Sequence, residues 1–193
     1  MRKVSVVIPV FNNESTIGQL FTQLNDLFSR FEDFELEVVF VNDRSSDNSL
    51  TVIKELKERF SNIQFLHFSR NYGQVVAISA GLKKASGDAV ILRSADLQDP
   101  VDLIENFLGG WQQGNKIVIG NRKNRSDGIV DRMQSRMFYN LIRMVSPNMP
   151  EGGYDYCLLD RSIVSVLNKF NHRNRFLQGD ILSLGFQTLI LPY

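Results

Sequence analysis

Three observations predict an α/β fold, a single Rossmann-like domain with a mostly parallel central sheet flanked by helices. Runs rich in β-branched residues alternate with segments of helical periodicity through the first two-thirds of the chain, the signature of βαβ units. Several of these runs end in polar residues that lead into the next helix, as at Val41-Asn42-Asp43 and after Ala89-Val90-Ile91-Leu92. The 193 residues are 43% hydrophobic without a low-complexity segment, enough for one substantial core and no obvious split into two.

In chain order, strands are expected at residues 4–10, 37–42, 63–68, 89–92 and 116–120. Between the first two, Ile17, Leu20, Phe21, Leu24, Leu27 and Phe28 recur at helical spacing and give one apolar face. Asp47 or Ser46 can cap a second helix that carries Leu50, Ile53, Leu56 and Phe60. Helices are expected next at 73–85 and 99–111, the latter capped by Asp99 with Pro100 in its first turn. After Gly120 the chain turns polar and basic over 121–128, then amphipathic and rich in Met and Arg over 129–145, which reads as a loop leading into a helix. Pro147, Pro150, Gly152 and Gly153 interrupt it before a strand at 154–159, one or two short helices and a last strand at 188–191.

Composition removes several function classes. With 22 basic against 21 acidic residues, no global field favours nucleic acid or an anionic membrane, so binding has to come from local sites. A single cysteine, Cys157, allows no internal disulfide and no Cys-rich zinc site, which suits a reducing compartment. No apolar run approaches the roughly 20 residues that span a bilayer, an expectation of a soluble chain as given. Neither G-x-G-x-x-G nor G-x-x-x-x-G-K-[ST] occurs, so dinucleotide and P-loop chemistry have no motif support.

The candidate site residues stand at strand ends. Pro9-Val10-Phe11-Asn12-Asn13-Glu14 follows the first strand and Asp43-Arg44-Ser45-Ser46-Asp47 the second. A carboxylate such as Asp43 can accept from the ring N–H of a base, although the same residue types also suit turns and helix caps. Arg70 after the third strand and Arg122 and Arg125 after the fifth could each meet a phosphate, or form a solvated basic surface. Ser94-Ala95-Asp96-Leu97-Gln98-Asp99-Pro100 places acid at the end of a buried strand, where a hard divalent cation on a phosphorylated ligand can be held.

Taken in order, Pro9-x-Phe11-Asn12-x-Glu14, Val41-Asn42-Asp43-x-Ser45-x-Asp47, Arg70-Asn71-x-Gly73, Gly87-Asp88 and Ala95-Asp96-Leu97-Gln98-Asp99-Pro100 resemble the signature of family 2 inverting glycosyltransferases with the GT-A fold. Tyr154-Asp155-Tyr156-x-Leu158-x-Asp160-Arg161, Asn174-Arg175-Phe176-Leu177 and Leu184-Gly185-Phe186 look most like the polyprenyl-phosphate glycosyltransferases within it. The resemblance runs from Val4 to Tyr193. It implies a nucleotide-sugar donor held by Pro9, Phe11, Asn12, Glu14, Asp43, Arg70, Ser94, Ala95, Asp96 and Arg122. It further implies Mg2+ or Mn2+ on Asp96 with Gln98, and Asp155 as catalytic base or acceptor-orienting group.

By the same resemblance, about residues 1–120 form the nucleotide-sugar half and about 121–193 the acceptor half of one catalytic domain, 1–193. The acceptor is a polyprenyl phosphate or, as the alternative, a saccharide hydroxyl, and a third reading is an inactive nucleotide-sugar-binding partner protein. The family often continues into basic residues and two transmembrane helices, which would set the domain at the cytoplasmic face of the membrane; a homo-oligomer is compatible with it. Three positions depart from the pattern: Ser94 replaces the first Asp of D-x-D, Arg44 stands where Gly is frequent, and Cys157 where Arg follows Gly-Asp-Phe.

Overall fold

The computed structural model describes residues 1–122, 150, 153–170 and 176–193. The amphipathic segment expected at 129–145, most of the basic loop including Arg125, and Asn174-Arg175 lie outside the described residues.

The strands are β1 (Arg2–Val10), β2 (Phe34–Asn42), β3 (Ile63–His67), β4 (Ala89–Leu92), β5 (Ile117–Asn121), β6 (Cys157–Asp160) and β7 (Thr188–Pro192). They form one sheet in the order β3-β2-β1-β4-β6-β5-β7, in which β6 runs against its neighbours β4 and β5 while the other pairs are parallel. The helices are α1 (Glu14–Phe28), α2 (Ser49–Arg59), α3 (Gln74–Lys84), α4 (Leu103–Gln112), α5 (Arg161–Leu167) and α6 (Leu177–Ser183).

Burial of both sheet faces explains why β1 and β2 read as nearly continuous apolar runs. Val4, Val6, Ile8 and Val10 of β1 face a core filled by α1, α2 and α4. Val7, with Val39 and Val41 of β2, faces a second core built with α3, α5 and α6. All six apolar residues picked out for α1 are buried. Among the described residues no helix is long and apolar enough to cross a membrane.

Three boundaries differ from expectation for physical reasons. Strand β2 starts at Phe34, since Arg2 to Val4 pair with Phe34 to Leu36. Helix α4 starts at Leu103, and Asp99 does not cap it: the Asp99 carboxylate is taken by Arg122 and Tyr193 instead. Strand β6 starts at Cys157, because ladder pairing with β4 begins only at the Leu92–Cys157 pair. Tyr154, Asp155 and Tyr156 are thereby left as the approach to the strand.

Candidate active site

In the sheet order, the chain moves outward from β1 to β2 and β3, then returns to the other side of β1 with β4. The carboxyl ends of β1 and β4 therefore flank a topological switch point, where open α/β sheets leave a crevice. A cavity of about 550 Å³ opens there, with Pro9, Val10 and Phe11 on one side and Ser94, Ala95 and Asp96 on the other. Because β6 is antiparallel, its amino end reaches the same edge and adds Tyr154, Asp155 and Tyr156; Arg122 and Tyr193 arrive from β5 and β7.

Of the expected site residues, Pro9, Phe11, Asp43, Ser94, Ala95, Asp96, Gln98, Arg122 and Asp155 line this cavity. Asn12, Glu14 and Arg70 do not. The turn after β1 is fastened to the loop after β2: Asn12 N–H donates to Ser45 Oγ at 3.0 Å, and Asn12 Oδ1 accepts from Ser46 N at 2.8 Å. Glu14 N–H donates to Asp47 Oδ2 at 3.0 Å, while Glu14 Oε2 accepts from Asn48 N at 2.6 Å. Asn12 and Glu14 thus hold two loops together. Arg70 lays its guanidinium over the exposed Tyr72 ring, 4.6 Å from the centroid.

Asp43 is buried and accepts from two successive backbone N–H groups, Tyr72 at 2.7 Å and Gly73 at 2.8 Å. Gly73 has φ of 90°, a left-handed conformation that glycine adopts without steric cost, and α3 starts at the next residue. The arrangement brings Asn71, Gly73 and Gln74 to the cavity wall beside Asp43. Among the described residues, the non-glycine positions with positive φ are Asn12, Arg44 and Leu97, all in loops after strands β1, β2 and β4. Such backbone is costly for L-residues and gathers at binding loops. The φ of 60° at Arg44 also explains why a glycine would suit that position.

Asp96 is exposed to the cavity, and its Oδ1 accepts from the Ser94 hydroxyl and from Gln98 N at 3.1 Å. Gln98 Oε1 accepts from Arg122 Nη1 at 3.1 Å. Among the described residues no group of three or more His, Cys, Asp or Glu side chains converges as a ready-made metal cage. One carboxylate with nearby amide and hydroxyl oxygens nevertheless fits a hard divalent cation whose remaining ligands are phosphate oxygens and water.

Asp155 lines the same cavity, just ahead of β6, and its Oδ1 accepts from Gln178 Nε2 at 3.1 Å. Gln178 Nε2 also donates to Tyr154 O at 2.6 Å, and Tyr154 OH donates back to Gln178 O at 3.0 Å, so α6 orients the segment carrying Asp155. Burial, with the Asp155 charge adding to it, pushes the Cys157 thiol far up, so this cysteine is an apolar core residue rather than a nucleophile. Sequence reasoning missed Tyr154, Tyr156 and Tyr193 as wall residues. The first two flank Asp155 in the quoted motif, whereas the position of Tyr193 depends on β7 pairing with β5.

A sheet split at a switch point, with acid and arginine at its carboxyl edge, defines an α/β domain with a polar crevice beside its central strands. The family model of glycosyl transferase family 2 matches residues 5–168, and the chain belongs to that family. Over 193 residues it is 36% identical to the bactoprenol glucosyl transferase of Shigella phage SfV, covering 99% of this chain and 62% of that protein. It is 35% identical over 193 residues to the prophage bactoprenol glucosyl transferase homolog of Escherichia coli strain K12, covering 99% of this chain and 63% of the relative. The chain thus spans about three-fifths of the length of these curated relatives.

Solved structures share the fold at low identity. The mannosyltransferase PcManGT from Pyrobaculum calidifontis in complex with GDP-Man and Mn2+ matches with a TM-score of 0.68 at 19% identity, over 99% of this chain and 55% of that one. TarS 1-349 from S. aureus in complex with UDP-GlcNAc matches at 0.66 and 17% identity, over 99% and 56%. The fold is GT-A, as the motifs implied.

Proposed function

We propose that this chain is the catalytic domain of an inverting glycosyltransferase that moves a sugar from a nucleoside-diphosphate sugar to a polyprenyl phosphate. The single observation that carries the reading is the cavity itself, which brings Asp96, Arg122 and Asp155 to one opening at the switch point. Similarity to two bactoprenol glucosyl transferases along almost the whole chain favours a lipid-phosphate acceptor over a saccharide hydroxyl or an inactive partner role. In this reading the chain up to about residue 120, joined by Arg122, holds the donor and most of the remainder meets the acceptor, and the enzyme works at the cytoplasmic face of a membrane.

Asp43 with the 71–74 loop, Pro9 and Phe11 bound the base and ribose end of the donor. Asp96, assisted by Gln98, would hold a divalent cation, Mg2+ or Mn2+, which would supply positive charge against the negative diphosphate. Arg122 adds fixed positive charge where the leaving group gains negative charge. An acceptor phosphate oxygen attacks the anomeric carbon in line. The bond from that carbon to the diphosphate oxygen breaks, and nucleoside diphosphate leaves with the electron pair. A phosphate acceptor is already ionised near neutral pH, so Asp155 acts chiefly by orienting groups at the sugar.

The test offers UDP-, GDP- and CDP-sugars with Mg2+ or Mn2+ and undecaprenyl phosphate, and follows nucleoside diphosphate release. Acceptor-dependent release from one donor class is expected. Donor binding without transfer to any prenyl phosphate, but with transfer to a saccharide, would overturn the acceptor, and no donor binding with either metal would overturn the enzyme.

A further inference from the structure

We propose that Asp99 is a positioning residue that, together with Tyr193, fixes the Arg122 guanidinium against the donor diphosphate. The inference rests on the donor reading above and adds to it the residues that set Arg122 in place.

Asp99 is only 7% exposed, and one oxygen, Oδ1, accepts from both Arg122 Nη2 at 2.6 Å and Tyr193 OH at 2.5 Å. The other arm of the guanidinium, Nη1, donates to Gln98 Oε1, so Arg122 is held at two points beside Asp96. Three separate stretches of chain meet in this contact: the segment after β4, the end of β5 and the residue after β7. Tyr193 is itself tied to β5, its N–H donating to Asn121 O at 3.0 Å.

The backbone of Asp99 is pinned as well. Arg93, 2% exposed, donates Nη2 to Asp99 O at 3.0 Å and lies 5.3 Å from the Tyr156 ring centroid. Tyr156 OH donates to Pro100 O at 3.3 Å. A buried carboxylate needs donors, and here one of the two is a guanidinium, so Asp99 and Arg122 fix each other. Hydrogen bonds with Asp99 and then Tyr193 hold Arg122 even more firmly cationic than usual. Burial first, and then the hydrogen bond to Asp99, push the Tyr193 phenol up to about 12, so it remains a hydroxyl donor at neutral pH. An unfixed arginine loses rotamer entropy when a ligand orders it, and this clamp removes most of that cost before the donor arrives.

The experiment measures binding of UDP, GDP and CDP with Mg2+ or Mn2+ to the wild type, Asp99→Asn, Tyr193→Phe and Arg122→Lys, with melting temperature alongside. Asp99→Asn is expected to weaken nucleoside diphosphate binding about tenfold and Tyr193→Phe about threefold. Adding Arg122→Lys to Asp99→Asn should cost little more, because the two act as one unit. Unchanged binding in folded Asp99→Asn would overturn the proposal, as would tighter binding, which would make the carboxylate a competitor of phosphate. If Asp99→Asn does not fold, Tyr193→Phe decides, since losing one hydroxyl there must still weaken binding. A wild type that turns over donor while Tyr193→Phe is unmoved sinks this inference alone; a wild type that binds none of UDP, GDP and CDP with either Mg2+ or Mn2+ sinks the donor reading and this inference together.

Discussion

At the amino end of the sheet, Glu37 accepts hydrogen bonds from Ser5 Oγ at 2.5 Å and from Ser86 N and Oγ, both at 2.8 Å, while only 8% exposed. At the carboxyl end, Asp96 also sits beside a serine, Ser94, but opens onto the cavity. The two carboxylates share residue chemistry and differ in closure. Around Glu37 the polar groups form a complete set: Gly87 N donates to Ser5 Oγ at 2.8 Å, and Arg161 Nε donates to Gly87 O at 2.6 Å. Around Asp96 the backbone is left-handed at Leu97. A satisfied buried network stabilises a fold, whereas exposed charge on a costly loop is what a ligand can use.

If that division is right, Asp96→Ala should cost activity and not stability. A fall in kcat/KM of about 10²- to 10³-fold is expected, on the order of 3–4 kcal/mol of transition-state stabilisation. The melting temperature should stay near that of the wild type, since the hydrogen bonds lost are at the exposed rim. Steady-state kinetics with thermal unfolding checks this, and a large drop in melting temperature would assign Asp96 to the scaffold.

Glu37→Ala should do the reverse. It leaves the Ser5 and Ser86 groups without their acceptor inside the protein, costing about 2–3 kcal/mol of stability, with little change in kcat/KM per folded molecule. Burial alone would raise the Glu37 pKa, but hydrogen bonds from Ser5 and Ser86 and the charge of Lys3 outweigh it and leave it below the usual 4.5. A depressed carboxylate contributes stability that is full above its unfolded value and is lost as pH falls through its folded value. Wild-type stability should therefore decline as pH drops below about 4.5, and Glu37→Ala should flatten that part of the acid arm. Denaturant melts at several pH values measure both effects, and parallel acid arms would break the assignment.

Local pattern carried most of the scaffold and part of the site. The short apolar runs at β3, β4, β5 and β7 and the apolar stripe of α1 are each revealed by a few neighbouring residues. That Asp96, Asp43 and Asp155 would come to one cavity was legible because strand ends and ordered motifs announce themselves in the chain. The Glu37 network and the Asp99 clamp were not, since Glu37 and Ser86 lie 49 residues apart and Asp99 and Tyr193 lie 94 apart. Pairings of that range follow from strand order, which has no local period. Asn12 and Glu14 stand at a strand end as a ligand residue would, but outside the cavity lining, with Asn12 Oδ1 and Glu14 Oε2 engaged in fastening two loops together.

The smallest effect separates the two ends most finely. Ser94 supplies a hydroxyl to Asp96, as Ser5 does to Glu37, so at both ends a serine holds a carboxylate without adding charge. Ser94→Asp would place a second negative charge beside the first in an open site. Without a cation the two repel, which favours protonation of one of them; with a cation both can share it. The concentration of Mg2+ giving half-maximal donor binding should fall severalfold, worth about 1 kcal/mol, while the metal-free melting temperature drops slightly. Titrating Mg2+ in the donor-binding assay, with melting curves at both extremes, reads the two changes together. An unchanged metal requirement would mean that the serine at this end is as structural as Ser5, and that Asp96 alone sets how the cation is held.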